Sequence, residues 1–180
     1  DMGVTFADDT VPGVDLIYPD AGFIIEKKDD LLGIVLTHAH EDHIGSISHI
    51  WPQLKCKIYA TPFTAVLIQE KFKEKKIDIT NYLKIVDLNS QIKLGPFEID
   101  FVTLTHSILE PNGLSITTPE GVVLHTGDWK VDPNPLIGNK VDEKKLRSIG
   151  DKGVIAMICD STNVFSPGRA GSENDVRESL

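Results

Sequence analysis

Residues 33–36, Gly-Ile-Val-Leu, run straight into Thr37-His38-Ala39-His40-Glu41-Asp42-His43-Ile44-Gly45. The chain has six histidines in 180 residues, and half of them fall within these nine positions. An apolar strand that ends in His-x-His projects His38 and His40 to the same side, because side chains alternate with a period of two. A turn into a helix over about 42–51 then brings Asp42 and His43 back to the same place. Four imidazole and carboxylate donors from one loop suit zinc, and also manganese where carboxylates and water complete the shell. The spacing is not that of two histidines four apart on one helix around a glutamate, since His40 and His43 are three apart. Four donors in six positions exceed what one tetrahedral ion shares with other ligands while keeping an open position, so the loop points to two ions. His49, inside the expected helix, is read as a structural histidine.

Further along the chain, short β-rich runs alternate with helical patterns. After the first strand come a strand at 56–60, a helix opened by Thr61 and Pro62 and ending near Lys76, and β-patterned runs at 82–88, 91–94 and 96–106. Phe63, Ala65, Val66 and Leu67 are expected to form the apolar side of that helix. Pro119-Glu120-Gly121 reads as a three-residue hairpin loop between 114–118 and 122–126. A short helix should end at Gly150, followed by a buried strand at 153–160. Ser172 with Asp175 three residues on has the form of a capping box. The pattern is α/β without strict βαβ alternation, with helices packed outside a pair of sheets.

Two strand ends offer further donors: His106 after Phe-Val-Thr-Leu-Thr, and Asp128 after Val-Val-Leu-His-Thr-Gly. Side chains delivered at strand termini reach a shared cleft. His106 supplies an added ligand for one ion, and Asp128 a carboxylate able to bridge two. His125 is not counted as a ligand, because the two-residue period points it away from the neighbours of Asp128.

Asp1-x-Gly3, His38-x-His40-x-Asp42-His43, His106 and Asp128, in that order, resemble the successive motifs of the metallo-β-lactamase superfamily. The resemblance implies a four-layered αββα sandwich, here incomplete. It implies that His38, His40 and His106 hold one zinc, that Asp42 and His43 hold the other, that Asp128 bridges, and that Asp1 orients the ligand loop from behind. Thr105-His106-Ser107-Ile108, residues 124–132 and Cys159-Asp160-Ser161-Thr162-Asn163 together resemble ribonuclease J, in the β-CASP branch. In that branch a second domain is inserted after the strand ending at Asp160, which matches the first acidic motif of the inserted domain. Residues 1–165 are then the N-terminal part of the metallo-β-lactamase domain, and 166–180 the start of the inserted one. Met2 and Leu109-Glu110 depart from the small or polar residues usual there. A histidine of the inserted domain, which this chain does not contain, would complete the second ion's shell.

The implied activity is two-metal phosphodiester hydrolysis on RNA, 5′-to-3′ exonucleolytic and endonucleolytic, in processing and decay of RNA, ribosomal RNA included. Asp42 or Asp128 would accept the proton of the attacking water. Ser161, Thr162 and Asn163 could donate hydrogen bonds to a phosphate, or simply cap the local turn. The alternatives are a thioesterase or lactonase of the same fold, and a catalytically idle scaffold in RNA processing. A net charge of −9 argues against a broad nucleic-acid-binding face, while leaving room for a local site where bound dications add positive charge.

No apolar run approaches the roughly 20 residues that cross a bilayer, and no signal segment is visible. Only Cys56 and Cys159 are present, expected as small buried residues in a reducing compartment, so a cytoplasmic, membrane-free protein is expected. The first residue is Asp1 rather than methionine, so the chain reads as part of a longer protein, with a homodimer or tetramer expected at full length.

Overall fold

In the computed structural model, which describes residues 1–180, the apolar run before the histidine cluster forms a parallel strand, as its β-branched residues favour. The chain divides into two compact units, Asp1–Val86 and Asp87–Leu180. The first unit opens with a small antiparallel pair, β1 (Thr5–Phe6) and β2 (Leu16–Ile17), and a short helix α1 (Gly22–Glu26). Its main sheet has the order β3 (Ile34–Val35), β4 (Ile58–Ala60), β5 (Leu83–Ile85), all parallel. Parallel neighbours need crossovers. These are α2 (Glu41–Ile44) with α3 (Ile47–Leu54), and then α4 (Pro62–Glu74).

The core of this unit lies between those helices and the sheet. Ile44, Ile47, Ile58, Ile68 and Phe72 are all fully buried. Trp51 makes edge-on contacts with Phe72 and Tyr82, at ring separations of 5.3 and 4.9 Å, and its indole N–H donates to the Cys56 carbonyl. Such aromatic pairs contribute about 0.5–1.5 kcal/mol beyond their buried area.

Three details of this unit differ from the sequence expectation. The helix expected over 42–51 is two helices. Residues 2–4 run against the turn between them, the Ser46 amide donating to the Met2 carbonyl. A Cβ on Gly45 would lie 2.4 Å from the Val4 side chain and 2.5 Å from the Glu41 carbonyl. A long-range approach of this kind leaves no mark on helical periodicity. On α4 the buried side is Thr64, Ala65, Ile68 and Phe72, while Val66 faces solvent. The buried stripe recurs every three to four residues, a phase that the neighbouring sheet selects. The run 82–88 is a strand only over Leu83–Ile85, which pairs with β4 and closes the first unit.

The second unit is built on a five-stranded sheet. Strands β6 (Gln91–Leu94), β7 (Phe97–Thr103), β8 (Asn112–Thr118) and β9 (Gly121–His125) form an antiparallel meander, and β10 (Val154–Ile158) adds in parallel beside β9. Helix α5 (Glu143–Lys152) connects them, its start capped by Asp142, which accepts from the Lys145 amide. Lys145 in turn donates to the carbonyls of Asn89 and Phe101 and pairs with Asp100. The expected hairpin is present with a loop one residue shorter, since Gly121 pairs with Thr118. On β7, Ile99 and Phe101 are buried, Phe97 at the strand's start is exposed, and from Phe101 to Thr103 both faces are covered.

The strand expected at 153–160 forms as β10, but it is not buried. Ile155, Met157 and Ile158 are 55–63% exposed, because β10 is an edge strand and an apolar sequence cannot say whether both of its faces are covered. Cys159 is likewise exposed and Cys56 is only half-buried, against the expectation of two buried thiols. Burial still pushes the Cys56 thiol pKa up.

The capping box forms as expected at the start of α6 (Glu173–Ser179), with Ser172 and Asp175 satisfying each other's backbone. The Glu173 and Asn134 amides both donate to Asp132, and Lys130 pairs with it at 3.3 Å. The Glu173 amide, with those partners behind it, holds the Asp132 carboxyl well below the usual carboxylate range. A depressed folded-state pKa stabilises the fold above the unfolded value of about 3.9 and loses that contribution as pH falls. Asp132→Asn should therefore lower the melting temperature by roughly 5 °C or more at pH 7. The gap to wild type should narrow as the pH drops below about 4. Thermal unfolding of both proteins between pH 3 and 8 checks this, and a pH-independent gap would count against it.

Candidate metal centre

The first unit brings His38, His40, Asp42, His43 and Asp1 together. His38 follows β3 and is 1% exposed, a burial rarely given to an imidazole without polar partners. Thr37, which the sequence reading did not single out, organises the cluster. Its amide donates to Asp1 Oδ1 and its hydroxyl to Asp1 Oδ2, both at 2.8 Å. With its proton spent on the carboxylate, the Thr37 oxygen 3.0 Å from His38 Nδ1 acts as acceptor, so Nδ1 carries the His38 proton. Asp1 Oδ2 also lies 2.8 Å from His43 Nδ1 and draws the proton there. Asp1 therefore sets both tautomers, directly at His43 and through Thr37 at His38, and leaves each Nε2 with its lone pair outward. This is the support that metal-binding imidazoles receive.

His38 Nε2 faces His40 Nδ1 at 3.1 Å. Two donors on a tetrahedral ion at about 2.05 Å lie roughly 3.3 Å apart, so the pair fits a shared cation. Asp42 Oδ2 is 3.7 Å from His43 Nε2, with the Asp42 side chain largely in solvent. The signal that could have identified Thr37 is its place, a hydroxyl at the strand end directly before the first histidine.

Gly3 accounts for the glycine of the Asp1-x-Gly3 motif. A Cβ there would lie 1.7 Å from the Asp42 carbonyl oxygen, since the Met2 amide donates to the His43 carbonyl and the Val4 amide to the Glu41 carbonyl. The backbone that carries Asp1 is thus laid directly on the backbone that carries Asp42 and His43. His49 packs on Tyr18 at 5.5 Å between rings, in keeping with a structural role.

The second unit brings His106 and Asp128 together, Nε2 to Oδ2 at 3.6 Å. Neither residue is within a strand: β7 ends at Thr103 and β9 at His125, and each donor lies three residues beyond. What joins the two loops is an isolated bridge between Thr105 and Lys130. The Lys130 amide donates to the Thr105 carbonyl at 2.8 Å, the Thr105 hydroxyl donates to the Lys130 carbonyl, and the Asp132 amide donates to Thr105 Oγ1. Gly127 precedes Asp128 at φ +57, a left-handed conformation that glycine adopts at little cost. His125 Nδ1 accepts from the Gly127 amide, so its role is in this turn.

Asp160 lies in the same unit, its amide donating to Thr126 Oγ1. The amide and hydroxyl of Thr162 donate to Asp160 Oδ1 and hold its carboxyl below the usual range, with His106 adding to the effect. The Thr162 hydroxyl is thus engaged in a local turn. The carbonyls of Ser161 and Asn163 accept from the Val164 and Ser166 amides.

The imidazoles of His38, His40, His43 and His106 and the carboxylates of Asp42 and Asp128 each offer one ligand atom. His38, His40, Asp42 and His43 belong to the first unit, and His106 and Asp128 to the second.

A family model described as a beta-lactamase superfamily domain matches residues 9–149. The chain is 44% identical over its whole length to a ribonuclease J of Sinorhizobium meliloti, of which it covers 32%. It is 44% identical to a ribonuclease J of Corynebacterium glutamicum, covering 25% of it, and 37% identical over 98% of its own length to one of Helicobacter pylori, covering 26%. The chain therefore spans about a quarter to a third of the curated relatives it matches. Among solved structures it resembles a protein of unknown function from Enterococcus faecalis V583, with a TM-score of 0.58 at 19% identity over 82% of this chain and 37% of that one. At that identity the likeness carries the fold alone.

Proposed function

Because the chain belongs to the metallo-β-lactamase superfamily, we propose that it is the ligand-bearing part of a metal-dependent ribonuclease that cleaves RNA phosphodiester bonds. The observation that carries this reading is its 44% identity, over the whole of its length, to a ribonuclease J. The donors themselves are consistent with it, each superfamily motif being filled by an intact ligand-type residue. Those donors count against the idle-scaffold reading, and nothing in the chain favours a thioesterase or lactonase.

His38, His40 and His106 would hold one ion, Asp42 and His43 the other, and Asp128 both. Zinc suits this mixture of imidazole and carboxylate, with manganese the alternative. When bound, such a pair of ions lowers the pKa of water and offsets negative charge developing on phosphate oxygens. The chain's own residues supply the rest. Asp1 and Thr37 hold the His38 and His43 tautomers that expose Nε2. Asp42 or Asp128 accepts the proton of the attacking water. Thr105 keeps His106 beside Asp128. Asp160 anchors the turn whose Ser161 and Asn163 side chains are proposed to meet a substrate phosphate, with Thr162 bracing that turn. Residues 166–180 would open an inserted domain, and the whole protein would work in the cytoplasm as a dimer or tetramer.

The test is hydrolysis by the intact protein supplied with Zn²⁺ or Mn²⁺. RNA bearing a 5′ monophosphate should be degraded to products with 5′ phosphates, and chelation should stop the reaction. Turnover of thioester or lactone substrates with RNA left intact would overturn the assignment.

A further inference from the structure

The first residue of α2, Glu41, lies between the donors His40 and Asp42 and is not itself one of the expected ligands. Its two carboxylate oxygens are held at 2.6 and 2.7 Å by a single ammonium, that of Lys71. The partner comes from α4, thirty residues along the chain. On either side of Lys71 in sequence, Ile68 and Phe72 are fully buried, so its helix is anchored in the core and its side chain is only 22% exposed.

Helix α2 has four residues, too few to be stable by itself. Its shape is set by what grips it. On one side are the contacts of residues 2–4, including the Val4 amide to the Glu41 carbonyl. On another is Lys71. Gly45 leaves the space for this second grip, since a Cβ there would lie 2.8 Å from Glu41 Oε2.

We infer that Lys71 is a positioning residue of the metal centre: by gripping Glu41 it fixes α2, and with it the direction of the Asp42 and His43 donors. With Glu41 half exposed, water screens this ion pair and it adds little to stability, so its effect appears in ligand geometry rather than in folding. The inference rests on the proposed ligand set, in which Asp42 and His43 share an ion.

Zn²⁺ titration of the intact protein, read by calorimetry, tests it with Lys71→Met, which keeps the aliphatic stem, Lys71→Arg and Glu41→Gln. Lys71→Met should weaken binding of the second equivalent of Zn²⁺ about tenfold while leaving the first within about threefold. Glu41→Gln should do the same, and the double variant should lose no more than either single one, the mark of two groups acting as one unit. Lys71→Arg should recover most of the loss. The melting temperature of the metal-free protein should be nearly unchanged in all of them. Wild-type affinity in Lys71→Met, or additive losses in the double variant, would overturn the inference. So would equal weakening of both equivalents together with a lower melting temperature of the metal-free protein. A wild-type protein that binds no Zn²⁺ would overturn the ligand set and the inference with it, whereas two ions bound equally well by wild type and Lys71→Met would overturn the inference alone.

Discussion

Replacing His38 with alanine is expected, on the proposed ligand set and activity, to strip the intact protein of one bound ion and to lower RNA hydrolysis by about a thousandfold, several kcal/mol of lost charge stabilisation at roughly 1.4 kcal/mol per factor of ten. The expectation follows from its surroundings. His38 is almost fully buried, the Thr37 oxygen occupies its Nδ1 side, and its Nε2 is aimed at His40. An imidazole engaged on one nitrogen and directed at a second imidazole on the other is placed as the proposed ligand set requires. His49→Ala is the control, since His49 packs on Tyr18 and should keep full metal content. Metal analysis and hydrolysis rates on both variants give the answer. Undiminished metal in His38→Ala would remove His38 from the ligand set.

The second large effect is expected from a residue with no functional group. Gly3→Ala would place a methyl group 1.7 Å from the Asp42 carbonyl oxygen and 2.2 Å from its carbon. Both partners are backbone, so no side chain can swing aside. Either residues 2–4 lift off, taking Asp1 from Thr37 and His43, or the turn carrying Asp42 and His43 moves. Overpacking of this kind costs about 3 kcal/mol or more, equivalent to a fall of roughly 10 °C in melting temperature for a chain of this size. Binding of the ion assigned to Asp42 and His43 should weaken at least tenfold, as when the support of a ligand is removed. Gly150→Ala is the comparison: it lies in α5 with nothing within 4 Å of the added carbon, and alanine favours a helix. Calorimetric unfolding and a Zn²⁺ titration of the two variants decide the matter. Gly3→Ala that melts and binds like Gly150→Ala would sink this account of the motif.

Much of the candidate site was legible because its parts are local. A strand, a turn and a helix within residues 34–44 are enough to place His38, His40, Asp42 and His43, and the periods of those elements follow directly from the order of residues. The hairpin, the capping box at Ser172 and the α/β class were legible for the same reason.

Tertiary structure alone decided the rest, and in each case the cause is an approach between segments distant in sequence. Residues 2–4 split the expected single helix at Gly45 and Ser46. The Asp1 carboxylate and the Thr37 hydroxyl fix two histidine tautomers across a separation of 36 positions. The bridge from Thr105 to Lys130 brings His106 to Asp128 after both strands have ended. The edge position of β10 leaves an apolar strand exposed. Side-chain periodicity records which face of an element is apolar; it carries no record of what lies against that face, or of whether anything does. The sequence by itself determined which residues can donate to a metal and in what order they come, because donor chemistry belongs to the single residue. Which nitrogen each histidine presents, and what holds it there, was decided only when distant backbone segments closed on one another.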